Sequence, residues 1–225
     1  GVAIGNFDGV HLGHRNFIKD VRDHCDKNDL NLVVITFVPH PRKVLAAATG
    51  FLINTYEVRR ELLKSLNVEH LVEIEFTRDF STLAPAEFLN DFIFFKPGVT
   101  TLFLGHDFAF GANKAGGHEF VRKYCTDHGV EFFIESEFKE SGDHVSSTEV
   151  RTSLIHGNVS KARELLGRNY FLDGNVIKGA GRGRQIGFPT ANLKIEDDLL
   201  VPKKAVYMSK VKFKDMIYFS ITNVG

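Results

Sequence analysis

The sequence predicts an α/β protein that opens with a mostly parallel sheet and continues as antiparallel β. Three observations carry this. Up to about residue 140, short apolar β-rich runs alternate with segments of helical period, the pattern of βαβ units. Beyond Gly167 the helical period stops, and β-like pieces follow one another between Gly- and Lys-rich turns, as in a small antiparallel barrel. The length of 225 residues makes about one and a half domains at roughly 150 residues each.

Val2-Ala3-Ile4 reads as the first strand, and Phe17, Val21 and Cys25, with Ile18 beside them, mark one helix face. Leu32 to Phe37 and Leu71 to Phe76 read as strands, separated by a helix with Val58, Leu62, Leu63 and Leu66 on one side. Phe88, Phe92 and Phe95 predict a helix that stops before Pro97-Gly98. Leu102 to Leu104 and Val130 to Ile134 continue the sheet. A short helix with Val159, Ala162, Leu165 and Leu166 ends at Gly167. Tyr170 to Leu172, Val176-Ile177, Thr190 to Leu193, Ala205 to Phe213 and Met216 to Ile221 are the later β pieces. The expected division is 1–157, a helical linker 158–169, and 170–225. Both ends read as cut: Gly1 leads straight into an apolar run without an initiator Met, and the chain closes on a strand-like run and a turn.

With 28 basic and 28 acidic residues the formal net charge is zero. That excludes a broad nucleic-acid or anionic-membrane surface and leaves local basic patches. Cys25 and Cys125 lie far apart with no CxxC spacing, which suits a reducing cytoplasm and excludes a disulfide scaffold. The longest uncharged stretch, Val44 to Tyr56, falls short of the roughly 18 residues of a membrane helix. No signal peptide is visible. Small-molecule partners are therefore expected, and homo-oligomerisation is left open.

The strongest motif is Gly5-Asn6-Phe7-Asp8-Gly9-Val10-His11-Leu12-Gly13-His14, at the junction of the first strand and first helix. Glycines there let the backbone approach a ligand closely, and the free N–H groups and dipole of the helix start favour an anion. His11 and His14, three apart, share one helix face. Two imidazoles so placed suit negative charge developing on a phosphate, with no nucleophile required. The spacing alone equally fits a plain helix-start turn or half of a metal site. The glycines match neither a GxGxxG fingerprint nor a GxxxxGK[ST] loop.

Ser146-Ser147-Thr148-Glu149-Val150-Arg151 is the second motif. Ser146 and Glu149 form a capping box. Ser147, Thr148 and Arg151 add two hydroxyls and a guanidinium on the first turn of a helix, where a cation is unfavourable unless an anion arrives. In the second part Gly179-Ala180-Gly181-Arg182-Gly183-Arg184 reads either as a surface turn or as a doubly basic loop able to wrap a polyphosphate.

These residues carry a resemblance. GNFDGVHLGH, TFVPHPRKV (Thr36 to Val44), LGHDFAFG (Leu104 to Gly111) and SSTEVR are similar to the adenylyltransferase half of the bacterial bifunctional riboflavin kinase/FAD synthetases. GNVIKGAGRGRQIGFPTANL, Gly174 to Leu193, resembles the riboflavin kinase half. The first part is thereby identified as a Rossmann-like member of the HxGH nucleotidyltransferase superfamily, followed by part of a riboflavin kinase-like barrel.

The resemblance implies transfer of AMP from ATP to FMN, giving FAD and pyrophosphate. His11 and His14 would stabilise charge at the α-phosphate, and Ser147, Thr148 and Arg151 would hold the β- and γ-phosphates. Gly5, Asn6, Phe7, Asp8, Gly9, Asp107 and Phe108 would form nucleotide and flavin pockets, with His40, Pro41 and Arg42 closing over the substrates. In the kinase half Gly179, Gly181, Arg182, Gly183 and Arg184 would bind nucleotide. Thr190 and Asn192 would bind Mg²⁺ and ATP phosphate for conversion of riboflavin to FMN. Two positions depart from the family, which often has Arg where Ala109 and Lys114 stand. The family's catalytic glutamate is expected downstream of Gly225, so this chain is expected to lack riboflavin kinase activity. Other HxGH nucleotidyltransferases would lack the GRGRQIGFPTAN segment, and a non-catalytic flavin- or nucleotide-binding protein would not need the intact His11, His14 and Arg151 set.

Overall fold

The computed structural model describes residues 1–94, 98–140, 142–179, 187 and 190–225. Five strands form a parallel sheet: β1 (Val2–Ile4), β2 (Val33–Val38), β3 (His70–Glu75), β4 (Thr101–Gly105) and β5 (Glu131–Glu135). Their order is β3-β2-β1-β4-β5, the doubly wound arrangement of Rossmann-like domains. Register runs from Ala3 opposite Val34 on one side to Ala3 opposite Phe103 on the other. The three central strands are continuous apolar runs, because a strand buried on both faces must be apolar throughout, while the edge strands β3 and β5 alternate exposed and partly buried residues.

Alternation along those strands builds a core on each face. Val2, Ile4, Ile35, Phe37, Leu102 and Leu104 pack against Phe88, Leu89, Ile93, Val121 and Cys125. The last two lie on α5 (His118–Asp127). Ala3, Val34 and Phe103 point the other way, onto Phe17, Ile18, Val21 and Cys25 of α1 (Leu12–Lys27) and Leu63 of α3 (Tyr56–Lys64). Between β2 and α3, α2 (Pro41–Ala46) starts on a proline, whose fixed φ suits the first helical position.

The predicted Phe88-Phe92-Phe95 face is corrected. Helix α4 (Pro85–Phe88) widens into a π-turn, Leu89–Ile93, closed by Phe94 N–H to Leu89 C=O at 2.8 Å. The five-residue step rotates Leu89 and Ile93 inward with Phe88, and Phe92 is left half-buried. Phe95 and Pro97 lie outside the described residues.

After β5, a short hairpin of β6 (Lys139–Glu140) and β7 (Asp143–His144) leads to α6 (Ser147–Ile155) and α7 (Val159–Leu166). These helices pair around Val150, Leu154, Ala162, Leu165 and Leu166, with Ile53 and Leu200 joining the same cluster. Gly167 ends α7 in the left-handed region at φ 65°, as the glycine signal predicted.

The remaining strands are antiparallel, as expected for part of a small barrel. β8 (Asn175–Ile177) pairs with β9 (Asn192–Lys194), and β10 (Ala205–Phe213) with β11 (Met216–Val224). Tyr170 to Leu172, expected as a strand, is irregular. Tyr170 packs instead on the α6–α7 cluster, its hydroxyl donating to Leu200 C=O. No described helix is long and apolar enough to cross a membrane.

Candidate active site

The strand order reverses between β1 and β4, and open α/β sheets bind ligands in the crevice beyond the carboxyl ends at such a point. The loops leaving those two strands are the ones that carry Asn6 to His11 and His106 to Phe110. The first is sharply folded. Phe7, Gly9 and Val10 all take left-handed φ, at 49°, 83° and 39°, costing the two non-glycine residues about 1–3 kcal/mol each. Burial holds them there: Phe7 and Val10 are each 1% exposed. Arg168, just past α7, clamps the bend from outside, donating to Gly9 C=O at 2.6 Å and Val10 C=O at 3.1 Å.

A side chain at Gly9 would have to accept the left-handed backbone and place its Cβ 2.8 Å from Ile53 Cδ1. Gly9→Ala is expected to lose about 1–3 kcal/mol of stability, measured by urea unfolding.

His11 caps α1, its Nδ1 accepting from His14 N–H at 3.3 Å. A neutral His11 bonded this way carries its proton on Nε2. The two imidazoles stack with centroids 3.6 Å apart. Gly13 sits between His11 and Val145 C=O, where a Cβ would lie 3.1 Å from each. Burial first, then the cations Arg151 and Arg168, push His11 down to about 3. Burial, His11 and the same two arginines hold His14 well below the usual histidine range. Both rings are therefore neutral donors at neutral pH, ready to meet an anion.

His40, the cap of α2, is similar. Its Nδ1 accepts from Arg42 N–H at 3.1 Å, and burial with Arg151, Arg42 and Arg59 lowers it to about 3. These depressed values carry a sign. For His11 and His40 the unfolded chain binds more protons than the folded one between about pH 6.5 and 3, so their contribution is present above that window and lost as pH falls through it, and His14 acts in the same direction. Asp8, raised by burial, acts in the opposite direction. Stability should fall by up to about 1.4 kcal/mol per pH unit for each uncompensated histidine. Urea midpoints between pH 7 and 4 check this, with His40→Gln flattening the slope by one proton.

Asp8 is 3% exposed. Its Oδ2 accepts from Arg151 Nη2 at 2.5 Å and its Oδ1 from Ile53 N–H at 3.1 Å. Ser147 Oγ donates to Asp8 C=O at 2.9 Å, which ties α6 to the first loop. Arg151 also donates from Nε to Phe51 C=O at 2.9 Å and lies over the Phe51 ring. Arg42 covers the same ring at 5.0 Å. The anion beside Arg151 is thus already within the protein, so its place on the helix does not itself require a phosphate. Ser146 caps α6 by accepting from Glu149 N–H at 3.2 Å, and Thr148 is exposed.

The structure brings Gly5, Asn6, Phe7, Asp8, Gly9, His11, His14, Ser147 and Arg151 together, and joins His40 and Arg42 to them through Phe51. Asp107 is exposed on the β4 loop, while Phe108 tilts against Phe110, which is buried in the core. Phe51, Arg59 and Arg168 went unread in the sequence. Arg59, 2% exposed, donates to Asn6 C=O, Phe37 C=O and Glu73, and its helix showed only its apolar face. Arg168 directly after a helix-ending glycine was the one available signal.

In the second part Gly179 abuts the Asn192 side chain, and Thr190 and Asn192 are both exposed. Gly181, Arg182, Gly183 and Arg184 lie outside the described residues.

A family model for FAD synthetase matches residues 1–149, and one for riboflavin kinase matches residues 166–225. The chain belongs to the bifunctional riboflavin kinase/FMN adenylyltransferase family. Its relative of that name in Listeria monocytogenes is 33% identical over 226 residues, covering all of this chain and 71% of that protein. The Bacillus subtilis member is 34% identical over the same length and 71% of its own. The Escherichia coli K12 member is 34% identical over 212 residues, 93% of this chain and 67% of its own. A crystal structure described as a macrolide-efflux protein from Streptococcus pneumoniae superposes with a TM-score of 0.88 at 31% identity, over 100% of this chain and 74% of that one. Family membership agrees with the observed order of a parallel-sheet part and antiparallel pieces.

Proposed function

We propose that the crevice between β1 and β4 transfers AMP from ATP to FMN, releasing pyrophosphate and FAD, and that residues 170–225 supply part of a riboflavin kinase module. The observation that carries this is the stacked, neutral His11–His14 pair at the switch point, with Arg151 tied across to the same loop. An FMN phosphate oxygen bonds to the α-phosphorus as the bond to the β-phosphate oxygen breaks, and the electron pair leaves with pyrophosphate. His11 and His14 donate to the α-phosphate as its charge builds, which is where donors accelerate the step. Arg151 keeps Nη1 free of partners among the described residues and, with Ser147 and Thr148, holds the β- and γ-phosphates.

Two buried atoms support a ligand here. Asn6 Oδ1 and His14 Nδ1 have no hydrogen-bond partner among the described residues, a state that buried polar atoms rarely keep. Gly5, Phe7, Asp8 and Gly9 shape the loop from beneath, and Asp107 and Phe108 line the flavin side.

In the kinase part the Thr190 hydroxyl and Asn192 amide are exposed oxygen donors, a set that fits Mg²⁺ shared with phosphates. When bound, the ion would neutralise phosphate charge, and Gly179 to Arg184 would wrap the nucleotide. Residues 1–157 form the adenylyltransferase unit and 158–169 the linker. Buried free Cys25 and Cys125 suit a reducing cytoplasm. Incubation with FMN, ATP and Mg²⁺ followed by separation of the flavins should yield FAD. FMN retained without FAD would reduce the site to a binding module.

A further inference from the structure

Three side chains from the loop after β4, the loop after β5 and strand β7 converge beside the site described above. His106 follows β4, Glu137 follows β5, and His144 ends β7 two residues before the Ser146 cap of α6. Their ligand atoms all lie within 4.8 Å of one another. Both histidines aim Nε2 at one carboxylate oxygen, Glu137 Oε1, at 3.3 Å from His106 and 3.8 Å from His144. We propose that His106, Glu137 and His144 form a binding site for one zinc-class divalent transition-metal ion.

The geometry is near what such an ion needs. Tetrahedral zinc at roughly 2.0–2.1 Å from each ligand sets the ligand atoms about 3.3–3.4 Å apart. The His106–Glu137 separation already has that value, His144 must close by a few tenths of an ångström on Glu137, and side-chain rotation must draw in the remaining pair, all three ligand atoms lying within 4.8 Å of one another. Two imidazoles and a carboxylate are a zinc ligand set that leaves a fourth position for water or substrate. The side chains are 36%, 49% and 38% exposed, so an ion can enter and keep water in that position. Mg²⁺ is disfavoured because it takes oxygen ligands in a tight octahedron.

An ion here would join the loop that carries Asp107 to the loop after β5 and to the hairpin leading into α6. The first of these segments carries Asp107, assigned to the flavin side, and the last leads into Ser147, Thr148 and Arg151, assigned to the phosphates, so the metal would brace the crevice from outside the reacting atoms. Its binding does not depend on the adenylyl-transfer reading.

The test is zinc titration of the metal-free chain against a chromophoric chelator, with excess Mg²⁺ present. One zinc per chain is expected. His106→Ala and His144→Ala should each weaken it by more than the roughly 10–100-fold that loss of an outer-shell partner costs, and Glu137→Gln should weaken it too. Cobalt substitution should give tetrahedral visible bands that vanish in the same variants. The His11→Ala/His14→Ala protein should still bind one equivalent, which separates this site from the other histidine pair. The inference is overturned by three results: no stoichiometric zinc at micromolar concentration, zinc retained at full affinity by the His106→Ala/His144→Ala protein, or zinc lost only with His11 and His14. The triplet would then be a pair of ordinary histidine–carboxylate contacts. Circular dichroism of these exposed-site variants checks that folding is unchanged.

Discussion

His14→Ala is expected to bind ATP with nearly unchanged affinity and to lose about 10²–10³ in kcat, the usual cost of one preorganised donor at a developing charge. The ring lies 3.6 Å from His11, and its Nδ1 is buried without a partner among the described residues. A donor that meets its acceptor only as charge builds on the α-phosphate lowers the barrier more than it tightens the ground state. His11→Ala is a less clean experiment, because His11 also caps α1 through His14 N–H, and losing a cap costs about 1 kcal/mol of stability. Steady-state kinetics with a separate ATP titration on His14→Ala separates the two effects. A kcat within threefold of the parent would remove His14 from the chemistry.

The largest stability effect belongs to Asp8. Its carboxylate is the partner of an Arg151 side chain that is 11% exposed, and it also receives the Ile53 N–H. Asp8→Ala would leave a buried guanidinium and a backbone donor unpaired, a change of about 3–5 kcal/mol. Asp8→Asn keeps an acceptor for Ile53 and should cost less. The Asp8→Ala/Arg151→Met double variant should recover part of the loss, since the orphaned charge goes with it. Urea unfolding of the three proteins measures this. A loss below about 1 kcal/mol for Asp8→Ala would mean that water reaches Arg151 and the pair is not the buried latch described.

The central strands were legible because burial on both faces writes itself as apolar runs, the edge strands from their β-rich composition, and α1 because its buried face repeats at helical spacing. The motif from Gly5 to His14 was legible as a tight glycine-containing turn into a helix, at the position where a parallel sheet presents ligands. The π-turn at Leu89 was not, since a single extra residue in a helix leaves no mark in a phenylalanine-rich stretch. Tyr170 to Leu172 has strand composition but is claimed by the α6–α7 cluster. Phe51, held between Arg42 and Arg151, is a tertiary arrangement of residues distant in sequence. Arg151 is a helix-start cation whose counter-charge, Asp8, is distant in sequence and supplied by folding. The β6–β7 hairpin brings Glu137 beside His144, and the neighbouring places of β4 and β5 in the sheet add His106, so the triplet is a tertiary arrangement.

The most direct measurement follows the label of ATP. The chain is incubated with FMN and Mg²⁺ and with ATP labelled at either the α- or the γ-phosphate, and the flavins are then separated. Adenylyl transfer predicts α-label in FAD and γ-label in pyrophosphate. α-Label absent from every flavin, with FMN recovered intact, would contradict the account.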